Sequence, residues 1–175
     1  MSIVEASKVK LTNKTIVIII TCLTVIVGIF LYLNSRQERL DEGEIRIKAG
    51  NNILGVVTLE DVKQLPVVKK KLAINSTLGI TKHQFTCTPL SEVFNKIDPN
   101  IVNEYKKVIA IGVDNYASAI KMDEVLEKNN VYLVYEDNGK PLKSKIGEEG
   151  TMRVVILNDV FGQRFTNFLV EMRLE

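Results

Sequence analysis

Val131-Tyr132-Leu133-Val134-Tyr135-Glu136-Asp137-Asn138-Gly139-Lys140-Pro141-Leu142 reads as a strand closed by a turn. Val131–Glu136 combines β-branched and aromatic residues, the composition that suits a packed strand. Asn138-Gly139 is the residue pair that most readily takes the positive φ of a tight hairpin. Similar short runs recur on both sides. Upstream, Glu44–Lys48, Ile53–Val57, Val67–Ile74, His83–Cys87, Val108–Val113 and Tyr116–Ile120 read as strands, with turns at Gly50-Asn51-Asn52 and Asp114-Asn115. Downstream, Met152–Leu157 and Phe165–Arg173 read as the last two. Short helices fall between them. One is capped by Thr58 with Asp61 in the capping-box position and stopped by Pro66, and one starts at Thr88-Pro89 and runs to about Ile97. Asp98-Pro99 opens another through Lys106, and Met122–Lys128 forms a turn or two. Strands and helices mix without a βαβ period, which predicts an α+β domain.

The N-terminal region has a different character. Thr15 to Leu33 is 19 uncharged, predominantly apolar residues, about 28 Å as a helix and close to the hydrocarbon thickness of a bilayer. Phe30 and Tyr32 sit at its far end, as interfacial aromatics do. Lys8, Lys10 and Lys14 precede the run, whereas Arg36 and Arg39 follow it. The basic residues thus place the N-terminus inside. The run is long for a signal-peptide core and ends in Leu-Asn-Ser-Arg, which favours an uncleaved signal-anchor. The expected organisation is a cytoplasmic segment 1–14, a transmembrane helix 15–33, a tether 34–43 and an extracytoplasmic domain 44–175. Gly28 is the only glycine in the span, so no paired-glycine helix contact is expected and a plain anchor in the cell membrane is.

Composition excludes several functions. The chain of 175 residues has a net charge of +2, and from Glu44 onward 18 Lys and Arg face 17 Asp and Glu. No field of that size steers a nucleic acid. The lysine cluster Lys69, Lys70 and Lys71 reads as a solvated strand end. Cys22 and Cys87 cannot meet if the first lies in the bilayer, so no disulfide is expected. With His83 as the sole histidine, a zinc site of several His and Cys ligands is excluded within one chain.

From about Thr58 onward the order of motifs resembles the molybdopterin-binding domain of sulfite-oxidase-type oxidoreductases. Phe85-Thr86-Cys87-Thr88-Pro89-Leu90 followed by Ser91-Glu92-Val93-Phe94 is similar to that family's aromatic-x-Gly-x-Pro-Leu turn into a helix. Asp114-Asn115-Tyr116 resembles its Asp-Gly-Tyr hairpin, and Val131–Leu142 its Tyr-Glu-x-Asn-Gly-x-Pro-Leu stretch. Gly150-Thr151-Met152-Arg153-Val154-Val155 stands where its Pro-Leu-Arg strand would be, and Phe161-Gly162-Gln163-Arg164 precedes Phe168-Leu169 in its closing segment. The resemblance implies a mixed-sheet domain of the sulfite-oxidase molybdopterin-binding type.

The departures bear on function. Where the resemblance implies a molybdenum-ligating cysteine, this chain has Asn75, and an amide cannot replace a soft anionic thiolate. Cys87 takes the glycine position of the turn. Glu148-Glu149 stands for the family's His-Gly, Thr151 for its Pro, and Asn167-Phe168 for a basic residue and Trp. The family binds an anionic pterin phosphate with His, Arg and Lys; here Arg153 and Arg164 remain. The candidate pocket is therefore Asn75, Cys87, Asp114, Tyr116, Arg153 and Arg164, with no catalytic and no metal-ligating residue assigned. The bland roles are a turn cap for Asn75, a small buried residue for Cys87, hairpin shaping for Asp114, packing on the sheet for Tyr116, and surface pairing of the arginines with Glu148, Glu149 or Asp159. The expectation is a cofactor-free binding module or membrane-complex partner. The alternative is a molybdopterin-binding or active oxidoreductase domain.

Overall fold

The computed structural model describes residues 13–35, 42–76, 79–159 and 161–175. The N-terminal segment 1–12 and most of the expected tether, 36–41, lie outside them. The chain divides into two compact units, Met1–Arg39 and Leu40–Glu175. In the first, helix α1 covers Asn13–Ser35, and its Asn13–Tyr32 stretch has a mean hydropathy of 2.7. By length and composition it suffices to cross a membrane. Thr21 and Thr24 donate their hydroxyls to the carbonyls of Val17 and Ile20 one turn back, so neither leaves a polar group unpaired.

The second unit is built from two five-stranded sheets. Strands β1 (Glu44–Ala49) and β2 (Asn52–Thr58) form a hairpin, and β5 (Lys107–Gly112) and β6 (Ala117–Lys121) form another. β10 (Leu169–Leu174) joins them, parallel to β1 and antiparallel to β5, in the order β2-β1-β10-β5-β6. The second sheet holds the long hairpin β3 (Val68–Ser76) and β4 (Gly79–Pro89), then β7 (Val131–Asp137), with β8 (Lys140–Pro141) and β9 (Arg153–Ile156) sharing the far edge of β7. β7 is covered on both faces, and Val131 to Tyr135 are all buried. That coverage accounts for its continuous apolar run. Asn138 and Gly139 both take positive φ in the turn after it, and the Asn138 side chain accepts from the Gln84 amide, tying this turn to β4.

Helices α2 (Leu59–Lys63), α3 (Leu90–Ile97), α4 (Ile101–Glu104) and α5 (Met122–Leu126) fill the connections. α3 packs against β2 of one sheet and against β4 and β7 of the other, with Leu90, Val93 and Phe94 buried. In β10 the buried Glu171 receives Lys48 and Arg173.

Several expected boundaries shift; the strand read as His83–Cys87 runs from Gly79 to Pro89, and the helix read as Met122–Lys128 ends at Leu126. Thr88 does not cap a helix. It stays in β4, donating its hydroxyl to the Pro66 carbonyl at 2.8 Å, because pairing with β7 continues to Pro89 opposite Tyr132. The helix starts at Leu90, with Pro89 as the N-cap. The last strand begins at Leu169 rather than Phe165, since Phe168 at φ 51° breaks extended pairing, and Thr166 makes only an isolated bridge to Val154. The helix expected through Lys106 shortens to Ile101–Glu104.

The capping box at Thr58 forms as read. The Asp61 amide donates to Thr58 Oγ1 at 3.2 Å, and the Thr58 amide to Asp61 Oδ2 at 3.0 Å. Lys96 at 2.8 Å, with Thr58, holds the Asp61 carboxyl down at about 2. A depressed folded-state pKa stabilises above the unfolded value, and the gain is lost as pH falls through the folded one. Asp61→Asn should therefore cost about 1 kcal/mol at neutral pH, as lost caps do. The cost should vanish between about pH 4 and pH 2 when urea unfolding of wild type and variant is compared.

Candidate functional site

Cys87 and Arg153 fall in one row of the second sheet, with Val134 between them. In the second sheet Val68, Cys87, Val134 and Arg153 form one row across β3, β4, β7 and β9. Opposed residues of antiparallel strands share a face, so the two side chains lie on one side. Cys87 is fully buried, and its thiol donates to the Val68 carbonyl at 3.5 Å. Burial pushes the thiol up to about 12 despite Lys70 nearby. It is a small packed group in the sheet's buried face. Lys70, read as solvated, instead bonds Asn129 at 2.8 Å and lies over the Tyr132 ring.

Beside that row stands a cluster that sequence reasoning missed. His83 Nδ1 lies 2.6 Å from Asp137 Oδ2, and His83 Nε2 lies 2.9 Å from Thr81 Oγ1. The imidazole stacks on Phe85 with centroids 5.3 Å apart. Burial pulls the Arg153 guanidinium below its usual range, with the Asp137 charge opposing. Asp137 Oδ1 and Arg153 Nε are both buried without a hydrogen-bond partner among the described residues. The two halves of the His83–Asp137 pair are 54 residues apart in sequence. The sole histidine was the available signal, but no local motif points from it to Asp137.

Asp114, Tyr116 and Arg164 gather elsewhere, around the β5–β6 hairpin. Asp114 Oδ1 accepts from the Tyr116 amide at 3.1 Å, the hairpin-shaping role. The Tyr116 ring is not packed away on the sheet: the residue is 45% exposed, and its hydroxyl donates to the Gln163 carbonyl. Arg164 Nε donates to Asp159 at 3.0 Å, while Nη1 and Nη2 donate to the two oxygens of Glu124 at 3.0 and 2.8 Å. Those bonds raise the guanidinium above its usual range, and Arg164 in turn holds the Glu124 carboxyl low. Two carboxylates thus take up the fork that would clamp an anion. Asn75 is separate from both groups, exposed in β3 opposite Ile80.

Depressions on this unit include the following two among the described residues. One of about 700 Å³ is lined by Val102, Tyr105, Lys107, Lys121 and Met122 among others, and by none of the six expected residues. The other, about 370 Å³, is lined by Glu42, Val113, Ser144, Ile146, Glu148, Glu149 and Thr151. It contains the two glutamates that replace His-Gly, and its charge is acidic. Among the described residues no group of three or more His, Cys, Asp or Glu could hold a metal ion.

The family described as "Oxidoreductase molybdopterin binding domain" matches residues 54–174. No curated protein matches the chain. Among solved structures, one that matches is the crystal structure of the sulfane dehydrogenase SoxCD from Paracoccus pantotrophus, at 17% identity and a TM-score of 0.59. The match covers 79% of this chain and 39% of that one, so this chain spans about two fifths of that protein's chain. At that identity the likeness is one of fold.

Proposed function

The chain belongs to the family of oxidoreductase molybdopterin-binding domains, and from that membership we propose that it is a membrane-anchored, extracytoplasmic member that holds no metal-pterin cofactor and serves as a binding or complex-partner module. The observation that carries this reading is Cys87. It is the only cysteine after Cys22, and it is sealed, protonated and bonded to Val68. A thiolate-linked molybdenum needs an ionised, accessible sulfur. The anion side of the cofactor fares no better. Arg164 is spent on Glu124 and Asp159, and carboxylates line the depression beside Thr151. The residues present do not fit molybdopterin. The apolar α1 and the lysines before it support a single span with the domain outside.

The test is elemental analysis of the full chain, purified in detergent from a host that makes molybdopterin, with released material checked for pterin fluorescence. Neither molybdenum nor pterin is expected. Near-stoichiometric molybdenum would overturn the reading and send the chain to oxidoreductase assays. For orientation, a cysteine placed at Ser35 in a Cys22→Ser background should react with an impermeant maleimide on intact cells; labelling only after lysis would put the domain inside.

A further inference from the structure

We propose that the acidic depression beside β9 binds an alkyl cation, an ammonium or guanidinium carried on an apolar stem. Glu42, Glu148 and Glu149 line it, and together they outnumber any positive charge on its wall. Lys143 and Lys145 belong to the same loop but do not line it. Local structure holds the Glu42 carboxylate and the loop backbone that carries Glu148 and Glu149. The Lys145 amide donates to both oxygens of Glu42, at 3.1 and 3.2 Å. Lys143 and Glu149 bridge the base of the loop, the Ser144 amide donates to the Glu148 carbonyl at 2.6 Å, and the Glu148 amide donates to Ser144 Oγ at 3.0 Å.

Thr151 makes this more than a cluster of acids. It is 3% exposed, it lines the same depression, and its Oγ1 has no hydrogen-bond partner among the described residues. A buried hydroxyl left unpaired is unfavourable, and a donor reaching it through the depression would relieve it. An ammonium brings three donors and a guanidinium five, and neither accepts, which suits a wall of carboxylate and hydroxyl oxygens. Beside Ser144, the remaining wall is the apolar Val113 and Ile146. Ile146 is 80% exposed at its rim, and Val113 is half-buried. Such a wall covers an alkyl stem while the charged head stays on the acids. A bare divalent ion finds no ready ligand set there, since no metal-holding group of three forms among the described residues. The stem-bearing cation is either a free alkylamine or a lysine or arginine side chain of another protein.

The inference rests on the reading of the domain as free of pterin, because an anionic cofactor and an acidic pocket exclude each other. The full chain in detergent is titrated by calorimetry with cadaverine, arginine amide and a short acetyl-Gly-Lys-Gly-amide peptide, with inorganic phosphate and magnesium as counter-probes. Molybdenum and pterin are measured in the same sample. Saturable binding of at least one cation is expected. The Glu148→Gln/Glu149→Gln variant should weaken it about tenfold or more, given charge-assisted bonds, and Thr151→Val should weaken it several-fold while Thr151→Ser restores it. A peptide tighter than cadaverine marks a side chain of a partner; the reverse order marks a free amine. No saturable cation binding, equal affinity in the variants at unchanged melting midpoint, or phosphate or magnesium binding in the cation's place would overturn the inference. If pterin is absent when it fails, the cofactor-free reading stands without it; pterin present sinks that reading first.

Discussion

Truncating Phe94 to alanine should lower the unfolding free energy by about 3–5 kcal/mol, the usual cost of emptying a buried aromatic site. Phe94 is fully buried, on a helix that touches both sheets. α3 meets β2 so closely that a Cβ on Gly55 would stand 2.5 Å from Ile97 Cδ1. There is little slack for the helix to sink and refill the space, so the cavity term should persist. A domain of this size has about 5–15 kcal/mol in total, so the variant should be near the edge of folding at 37 °C. Urea unfolding followed by near-ultraviolet circular dichroism of the tyrosines measures it. A loss under about 1 kcal/mol would mean that α3 does not wedge the sheets together.

Gly55→Ala probes the same contact from the other side, and the comparison shows why the fold was legible. Ile45, Ile47 and Val57 alternate with half-buried or exposed neighbours, so the pleat displays which face is buried. Asn138-Gly139 and Thr58-x-x-Asp61 are local chemistry, each complete within four residues, and both form as read. Where expectation failed, a distant partner decided. Thr88 has the side chain of a helix cap, but β7 offers its backbone a ladder and Pro66 offers its hydroxyl an acceptor. Propensity lost to pairing there, as it commonly does in a buried sheet.

The candidate residues were legible as types and illegible as partners. Two arginines were recognisable as survivors of an anion-binding set. Nothing local to Arg164 says that Glu124, 40 residues earlier, takes half of its guanidinium. Nothing local to Arg153 says that it lies in a row with Cys87 and Val134. Charge pairs across sheets depend on register, and register follows from the whole set of strand pairings. The acidic depression was half visible: Glu148-Glu149 stood out as a reversal of charge, whereas Glu42 reaches the same place from before β1.

Replacing Asp137 with alanine should cost about 1–3 kcal/mol, because it removes a hydrogen-bonded carboxylate and the charge that favours the half-buried Arg153 guanidinium. Burial disfavours the charged Arg153 guanidinium, and the Asp137 charge opposes that without a direct ion pair. The same change strips His83 Nδ1 of its 2.6 Å partner. Asp137→Asn keeps an acceptor for the imidazole but not the charge, so it separates the two losses. Arg153→Met fills similar volume without charge, and against that background Asp137→Ala should be milder by about 1–3 kcal/mol, as residues in one network couple. Equilibrium unfolding of the four-member cycle measures the difference. A coupling near zero would mean that Arg153 draws nothing from Asp137, and the unpaired Nε and Oδ1 would then be independent defects. A strong coupling would mean that the arginine kept from an anion-binding family has been turned inward to a carboxylate, as Arg164 has been at the β5–β6 hairpin. Both surviving arginines would then be neutralised by the protein's own acids, which is what a domain without an anionic cofactor requires of them.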